Sequence, residues 1–140
     1  MRKLFLAFCG ALLWASAACA QGVAPADAAA IRSTIERQID AFRADDGERA
    51  FGFADASIRA MFGDPARFMA MVREGYAMFY RPRRFEFAET VERPDGYAQA
   101  VEFDGLDGTS ALAVYEMRRQ PDGSFRIAGV HILKARKPSV

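Results

Sequence analysis

The chain has 140 residues, 51% of them hydrophobic, with 19 lysines and arginines against 18 acidic residues and a single histidine. So even a balance gives no global attraction to nucleic acid or to an anionic membrane surface, and the length suits one hydrophobic core rather than several. Both cysteines, Cys9 and Cys19, lie within the first twenty residues, so a chain without that segment has neither disulfide nor thiol chemistry open to it.

Met1-Arg2-Lys3, an apolar run from Leu4 to Ala15, and Ala18-Cys19-Ala20 before Gln21 form a basic head, a hydrophobic stretch short for a bilayer, and an A-x-A cleavage site. Residues 1–20 are therefore expected to be a cleavable signal peptide, cut near Ala20/Gln21, with a periplasmic or secreted product. Lipidation at Cys19 is the rival account, but Ser16 stands where a lipobox normally has leucine. Trp14 leaves with the leader, as do Arg2 and Lys3, while four tyrosines and most of the phenylalanines stay to build a core. No transmembrane span is expected after cleavage.

Gln21 to Ala26 is expected to be a flexible lead-in, followed by a single domain over residues 27–137. From Asp27 the spacing predicts a helix, with Ile31, Ile35, Ile39 and Phe42 on one face. Asp45-Asp46-Gly47 breaks the run, and Asp46 is placed to cap a short helix holding Ala50, Phe51 and Ala54. Ser57 opens a further turn with Ile58, Met61 and Phe62 apolar, which Gly63 can end. Asp64-Pro65 starts a longer helix that places Phe68, Val72, Tyr76 and Phe79 inward, and Pro82 forbids its continuation.

The period then changes to two. Phe85, Phe87, Glu89 and Val91 alternate with polar neighbours and are expected on one face; Pro94-Asp95-Gly96 turns the chain, and Tyr97 to Phe103 alternates again. Thr109 to Arg119 and Ser124 to Ala135 form two more strands, joined by Pro121-Asp122-Gly123. Read as three-residue loops, the two Pro-Asp-Gly turns pair Arg93 with Tyr97 and Gln120 with Ser124. The second pairing sets Ala113, Tyr115 and Met117 alongside Ile127, Gly129 and His131, though a loop one residue shorter would reverse His131 relative to strand three. Helices followed by strands are the α+β signature: three to four helices packed on a four-stranded, strongly bent antiparallel sheet.

The stretches Ala41-Phe42-Arg43-Ala44-Asp45-Asp46, Met71-Val72-Arg73-Glu74-Gly75-Tyr76, Tyr80-Arg81-Pro82-Arg83 and Gln120-Pro121-Asp122-Gly123-Ser124-Phe125-Arg126-Ile127-Ala128-Gly129-Val130 resemble bacterial exported proteins grouped as domain of unknown function 4864. Phe125 departs conservatively from the tryptophan expected there. The resemblance implies the cone-shaped fold of nuclear transport factor 2 and ketosteroid isomerase, in which helices and a bent sheet enclose a pocket. It implies no reaction, because that fold hosts enzymes, binders and dimerisation modules alike.

Four groups of residues invite chemistry. His131 is the one side chain suited to proton transfer near neutral pH, and a strand histidine satisfied by a neighbour is the plainer account of it. Tyr76 and Tyr80, four apart, could donate to a developing oxyanion with Asp40 or Glu89 as base, or serve as core residues with hydroxyls at the rim. Arg81, Arg83 and Arg84 flank Pro82, with Arg73 upstream, and could meet an anionic ligand or decorate a solvated corner balanced by Glu86, Glu89 and Glu92. Tyr115 and His131 join these arginines as ligand-binding candidates. Met69, Met71 and Met78 offer thioethers of the kind that bind copper, but residues two apart on a helix point about 200° apart, so packing explains them better and no metal is expected.

No zinc spacing, phosphate loop, nucleophile elbow or dinucleotide fingerprint is present, and no cofactor is expected. The expectation is a non-enzymatic domain that binds a small apolar or amphipathic ligand or forms a homodimer through its sheet, since Leu112 and Val114 leave the face opposite Tyr115 apolar as well. A small isomerase, lyase or hydrolase using His131 with Tyr76, Tyr80 or a pocket carboxylate is the alternative.

Overall fold

The computed structural model describes residues 22–138. The expected signal peptide, residues 1–20 with Cys9, Trp14 and Cys19, and its expected cleavage point lie outside the described residues. Five helices precede four strands: α1 (Pro25–Arg43), α2 (Gly47–Gly52), α3 (Ala56–Phe62), α4 (Pro65–Gly75), α5 (Ala77–Tyr80), β1 (Arg84–Arg93), β2 (Gly96–Asp104), β3 (Ser110–Arg119) and β4 (Phe125–Arg136). The strands form one open antiparallel sheet in the order β1-β2-β3-β4, with the helices packed against it. No helix among the described residues is long and apolar enough to cross a membrane.

Local chemistry sets most helix ends. Asp46, Asp55 and Asp64 each accept a backbone N–H in the first turn of α2, α3 and α4, satisfying donors that a helix start leaves open. α1 begins at Pro25, two residues ahead of the expected Asp27, because proline at the first helical position loses no hydrogen bond there. It ends with Asp45 in the left-handed region (φ 55°), where the N–H groups of Asp45 and Asp46 reach back to Phe42 and Ala41 at 3.0 and 2.9 Å. The expected single helix after Pro65 is interrupted. Gly75 ends α4, and Tyr76 follows at φ −137°, ψ 43°, so Tyr76 and Tyr80 do not share one regular helical face.

Two apolar clusters hold the layers together. Ile31, Ile35 and Ile39 of α1 and Phe79 of α5 meet the inner sheet face at Val101, Phe103, Ala113, Tyr115, Met117 and Ile127. Phe42, Phe51, Phe68, Met69, Val72 and Tyr80 pack the helices on one another, with Phe68 contacting Phe42, Phe51 and Phe62 at centroid separations of 5.4 to 6.0 Å.

One hairpin pairing and three register shifts in the sheet correct the alternation expected from sequence. Arg93 pairs with Gly96 rather than Tyr97, leaving Pro94-Asp95 as the loop. Gly96 sits at φ 153°, where a Cβ would run into the carbonyl oxygen of Met117 on β3, so only glycine fits. A bulge at Ala88 and Glu89 then reverses the faces of β1: Phe85 and Phe87 point inward, Thr90 replaces Glu89 beside them, and Val91 is exposed. The buried Gln99 closes this bulge, its amide nitrogen donating to the carbonyls of Ala88 (3.1 Å) and Glu89 (3.2 Å) while its oxygen accepts from Thr90. The Pro121-Asp122-Gly123 loop does take the expected form: Gly123 is left-handed (φ 86°) and the Gln120 N–H bonds the Ser124 carbonyl at 2.7 Å.

β4 carries the other two shifts. Ile127 lies opposite Met117 as expected, but Ala128 is an extra residue, so Tyr115 faces Val130 rather than Gly129 and Ala113 faces Ile132 rather than His131. The bulge falls where Ile127 also bonds the α2–α3 connection, its N–H to Phe53 (2.9 Å) and its carbonyl to the Asp55 N–H (2.7 Å). A second shift falls at Leu133, within the exposed second half of β4 from His131 to Arg136. Bulges of this kind add twist and bend a sheet, and they supply the curvature over which the helices sit.

Candidate functional site

A cavity of about 410 Å³ opens between the helices and the β3–β4 side of the sheet. α1 contributes Gln38 and Phe42; α3 contributes Ile58, Met61 and Phe62; α4 contributes Phe68, Met71 and Val72. Tyr76 and Phe79 close one side, Tyr115 and Ile127 form the floor, and Ala128 to His131 make the sheet-edge rim. The segment leading into α3 is tied to β4 by the Ala54–Ile127 bridge and the Asp55 N–H to the Ile127 carbonyl, and to the end of β3 by the Asp55 carboxylate, which sets α3 along this side of the cavity. Met61 is 75% exposed and marks the entrance.

The polar content of this cavity is small. Among the described residues no lysine, arginine, aspartate or glutamate lines it. Gln38 is buried and donates its amide N–H to the Ala50 carbonyl at 3.1 Å. Tyr115 is 1% exposed, its ring set edge-on to Phe79 (6.4 Å) and tilted against Phe103 (6.3 Å). Burial pushes the pKa of its hydroxyl well up, because the phenolate cannot be solvated there.

The residues singled out from sequence are dispersed. His131 falls on the outer sheet face, where its Nε2 meets Glu116 Oε1 at 3.0 Å and its side chain is 61% exposed; it touches the cavity only at the rim. Tyr76 lines the cavity, but Tyr80 does not: its hydroxyl accepts from Arg73 Nε at 3.3 Å, and Arg73 and Arg81 both lie over its ring. Asp45 bridges those two guanidiniums at 3.6 and 3.0 Å. Asp40 pairs with Arg43 and Glu89 is exposed on the β1 bulge, so neither carboxylate reaches the cavity.

The arginines around Pro82 separate rather than cluster. Arg81 turns to Asp45, Arg84 to Asp104 (3.0 Å) and Glu86 (3.7 Å), and the Arg83 backbone N–H bonds the Asp104 carbonyl at 2.8 Å. Met69 is buried against α2 while Met71 lines the cavity, so the two thioethers point apart. Three polar residues that matter escape the sequence reading: Gln38, Asp55 and Gln99. Each left a signal, since Gln38 stands seven residues after Ile31 on the apolar stripe of α1, Gln99 occupies an inward position of β2, and Asp55 precedes Ser57 as a cap does.

Residues 24–140 match the family described as Domain of unknown function (DUF4864). Among solved structures, the chain is similar to that of Aln2 from a Streptomyces species, determined at 1.8 Å, with 16% identity and a TM-score of 0.51 over 81% of this chain and 94% of that one. At that identity the likeness concerns the fold. Comparison with curated proteins gave no match.

Proposed function

Since the chain belongs to the family described as domain of unknown function DUF4864, a membership that carries a fold and no reaction, we propose that it is an exported, non-enzymatic single domain that holds a small apolar or amphipathic molecule between its helices and its sheet. The observation that carries this is the cavity: about 410 Å³, inside the range of about 300–1,000 Å³ typical of small-molecule sites, with an apolar lining and few polar groups. The cone-shaped fold of nuclear transport factor 2 supports a pocket in this place by analogy alone.

An isomerase, lyase or hydrolase would need a proton-transfer group facing a hydroxyl across that space. The Glu116 contact of His131 and the Arg73 contact of Tyr80 favour binding over turnover. A homodimer is a second reading, favoured by Ala100, Leu112 and Val114, which share the sheet face away from the helices and are only half-buried.

Native mass spectrometry of protein purified from the periplasm tests these points together. The expected spectrum shows a chain beginning near Gln21 and a low-mass adduct released on activation, and a doubled mass would add the dimer. Absence of the chain from the periplasmic fraction would overturn export, and a full-length mass would overturn cleavage. Protein that carries no adduct, and into which no apolar probe can be loaded, would overturn the ligand reading.

A further inference from the structure

The polar content of the cavity narrows what it can hold. The Tyr115 hydroxyl makes no hydrogen bond among the described residues and is not sealed from solvent, so in a residue only 1% exposed that lines the cavity floor, the space it opens on is the cavity. Water in the cavity can serve this hydroxyl, and a ligand that displaces the water without offering an acceptor leaves it unmatched at a cost of about 1–3 kcal/mol. Its raised pKa keeps it protonated, hence a donor, across the physiological range. Gln38 adds an amide oxygen that accepts no hydrogen bond among the described residues and is likewise open to cavity water, its nitrogen donating to the Ala50 carbonyl.

Charge decides the rest. With no lysine, arginine, aspartate or glutamate in the lining among the described residues, and with His131 turned to Glu116 on the outer face, a carboxylate or ammonium group on the ligand would be desolvated without a counter-charge. That is among the costliest states in a protein interior. A neutral carbonyl or hydroxyl oxygen avoids that penalty and satisfies the phenol.

We propose that this cavity selects uncharged ligands, with the Tyr115 hydroxyl donating a hydrogen bond to a carbonyl or hydroxyl oxygen on an otherwise apolar body. The proposal rests on the ligand-binding reading above and adds to it the polarity of the ligand. Tyr76 also lines the cavity, but it is half-buried, where water can serve its hydroxyl, and so it is not assigned this role.

Three probes of one shape separate the possibilities: 2-acetylnaphthalene, 2-isopropylnaphthalene and 2-naphthoate, titrated into the chain lacking residues 1–20 and followed by protein-observed NMR. Tyr115→Phe should weaken the ketone by about fivefold, the worth of one buried hydrogen bond, and leave the hydrocarbon unchanged within about twofold. The carbonyl stretch of the bound ketone should move to lower frequency in the parent protein and return in Tyr115→Phe, whereas Tyr76→Phe should leave it shifted. Naphthoate should bind at least about tenfold more weakly than the ketone. Equal effects of Tyr115→Phe on ketone and hydrocarbon, or naphthoate binding as tightly as the ketone, would overturn the neutral-oxygen proposal while leaving a binding cavity. Failure of all three probes to bind the parent protein would overturn both.

Discussion

Asp55 offers the sharpest test of how the cavity wall is built. The residue is 7% exposed and its carboxylate accepts four hydrogen bonds: from the Ser57 backbone N–H (3.0 Å), the Ser57 hydroxyl (2.9 Å), Arg118 (3.2 Å) and Gln120 (3.3 Å). It thereby caps α3 and ties that helix to the end of β3 across the connection that bonds Ile127. Replacing it with alanine removes a cap worth about 1 kcal/mol and charge-assisted bonds worth a further 1–3, a loss of roughly 2–4 kcal/mol. Asp55→Asn keeps one acceptor but sets an amide N–H₂ among donors, and should lose roughly 2 kcal/mol. For a domain whose whole stability is about 5–15 kcal/mol, either loss is large.

The pH dependence follows from the same contacts. Burial pushes the Asp55 carboxyl up, but the Ser57 amide and hydroxyl, the Gln120 amide and the Arg118 guanidinium outweigh it and hold the group below the ordinary value of 3.8. A depressed folded-state pKa contributes stability that is fully present above the unfolded value and is lost as pH falls through the folded one. Urea unfolding followed by far-UV circular dichroism should therefore show a constant gap between the parent protein and Asp55→Asn near neutrality, narrowing below about pH 3.8. A gap under about 1 kcal/mol at pH 7, or one that widens on acidification, would refute the reasoning.

Other substitutions probe separate parts of the fold. Gly96→Ala should cost about 2–4 kcal/mol, because the new Cβ meets the Met117 carbonyl oxygen in a backbone conformation that alanine avoids, and the urea midpoint reads it directly. Asp45→Ala should be less stable than Asp45→Gly by about 1 kcal/mol, since both lose the bridge to Arg73 and Arg81 but only glycine relieves the positive φ; equal midpoints would show that the backbone conformation carries no cost. His131→Ala removes an exposed contact with Glu116 and should change stability by less than about 1 kcal/mol and leave probe affinity in the cavity within about twofold. A tenfold loss of affinity would return His131 to the site.

Much of the architecture was readable in advance because it is written in local signals. Asp46 and Asp64-Pro65 cap their helices, Gly63 ends α3, Pro82 stops the helical half, and Pro121-Asp122-Gly123 turns β3 into β4, each through the residue's own backbone preferences. The inward positions Phe85, Phe87, Val101, Phe103, Tyr115 and Ile127 follow from alternation close to each turn. The site was less legible. Its candidates were chosen by side-chain chemistry, and alternation carried past a bulge assigns the wrong face, as it did for Glu89 and His131.

The sequence by itself determined the helical half, the four-stranded meander and the apolar stripes that join them, because capping, turn chemistry and hydrophobic period act over a few residues. Tertiary structure alone decided which face His131 occupies, how the arginines around Pro82 disperse, and that Tyr115 ends on a cavity floor with its hydroxyl open to the cavity. The face of His131 hangs on the bulge at Ala128, and that of Val91 on the bulge at Ala88, which arise where the Phe53–Asp55 connection and Gln99 take strand hydrogen bonds. A one-residue slip leaves no local signature, yet it turns every later side chain to the opposite face.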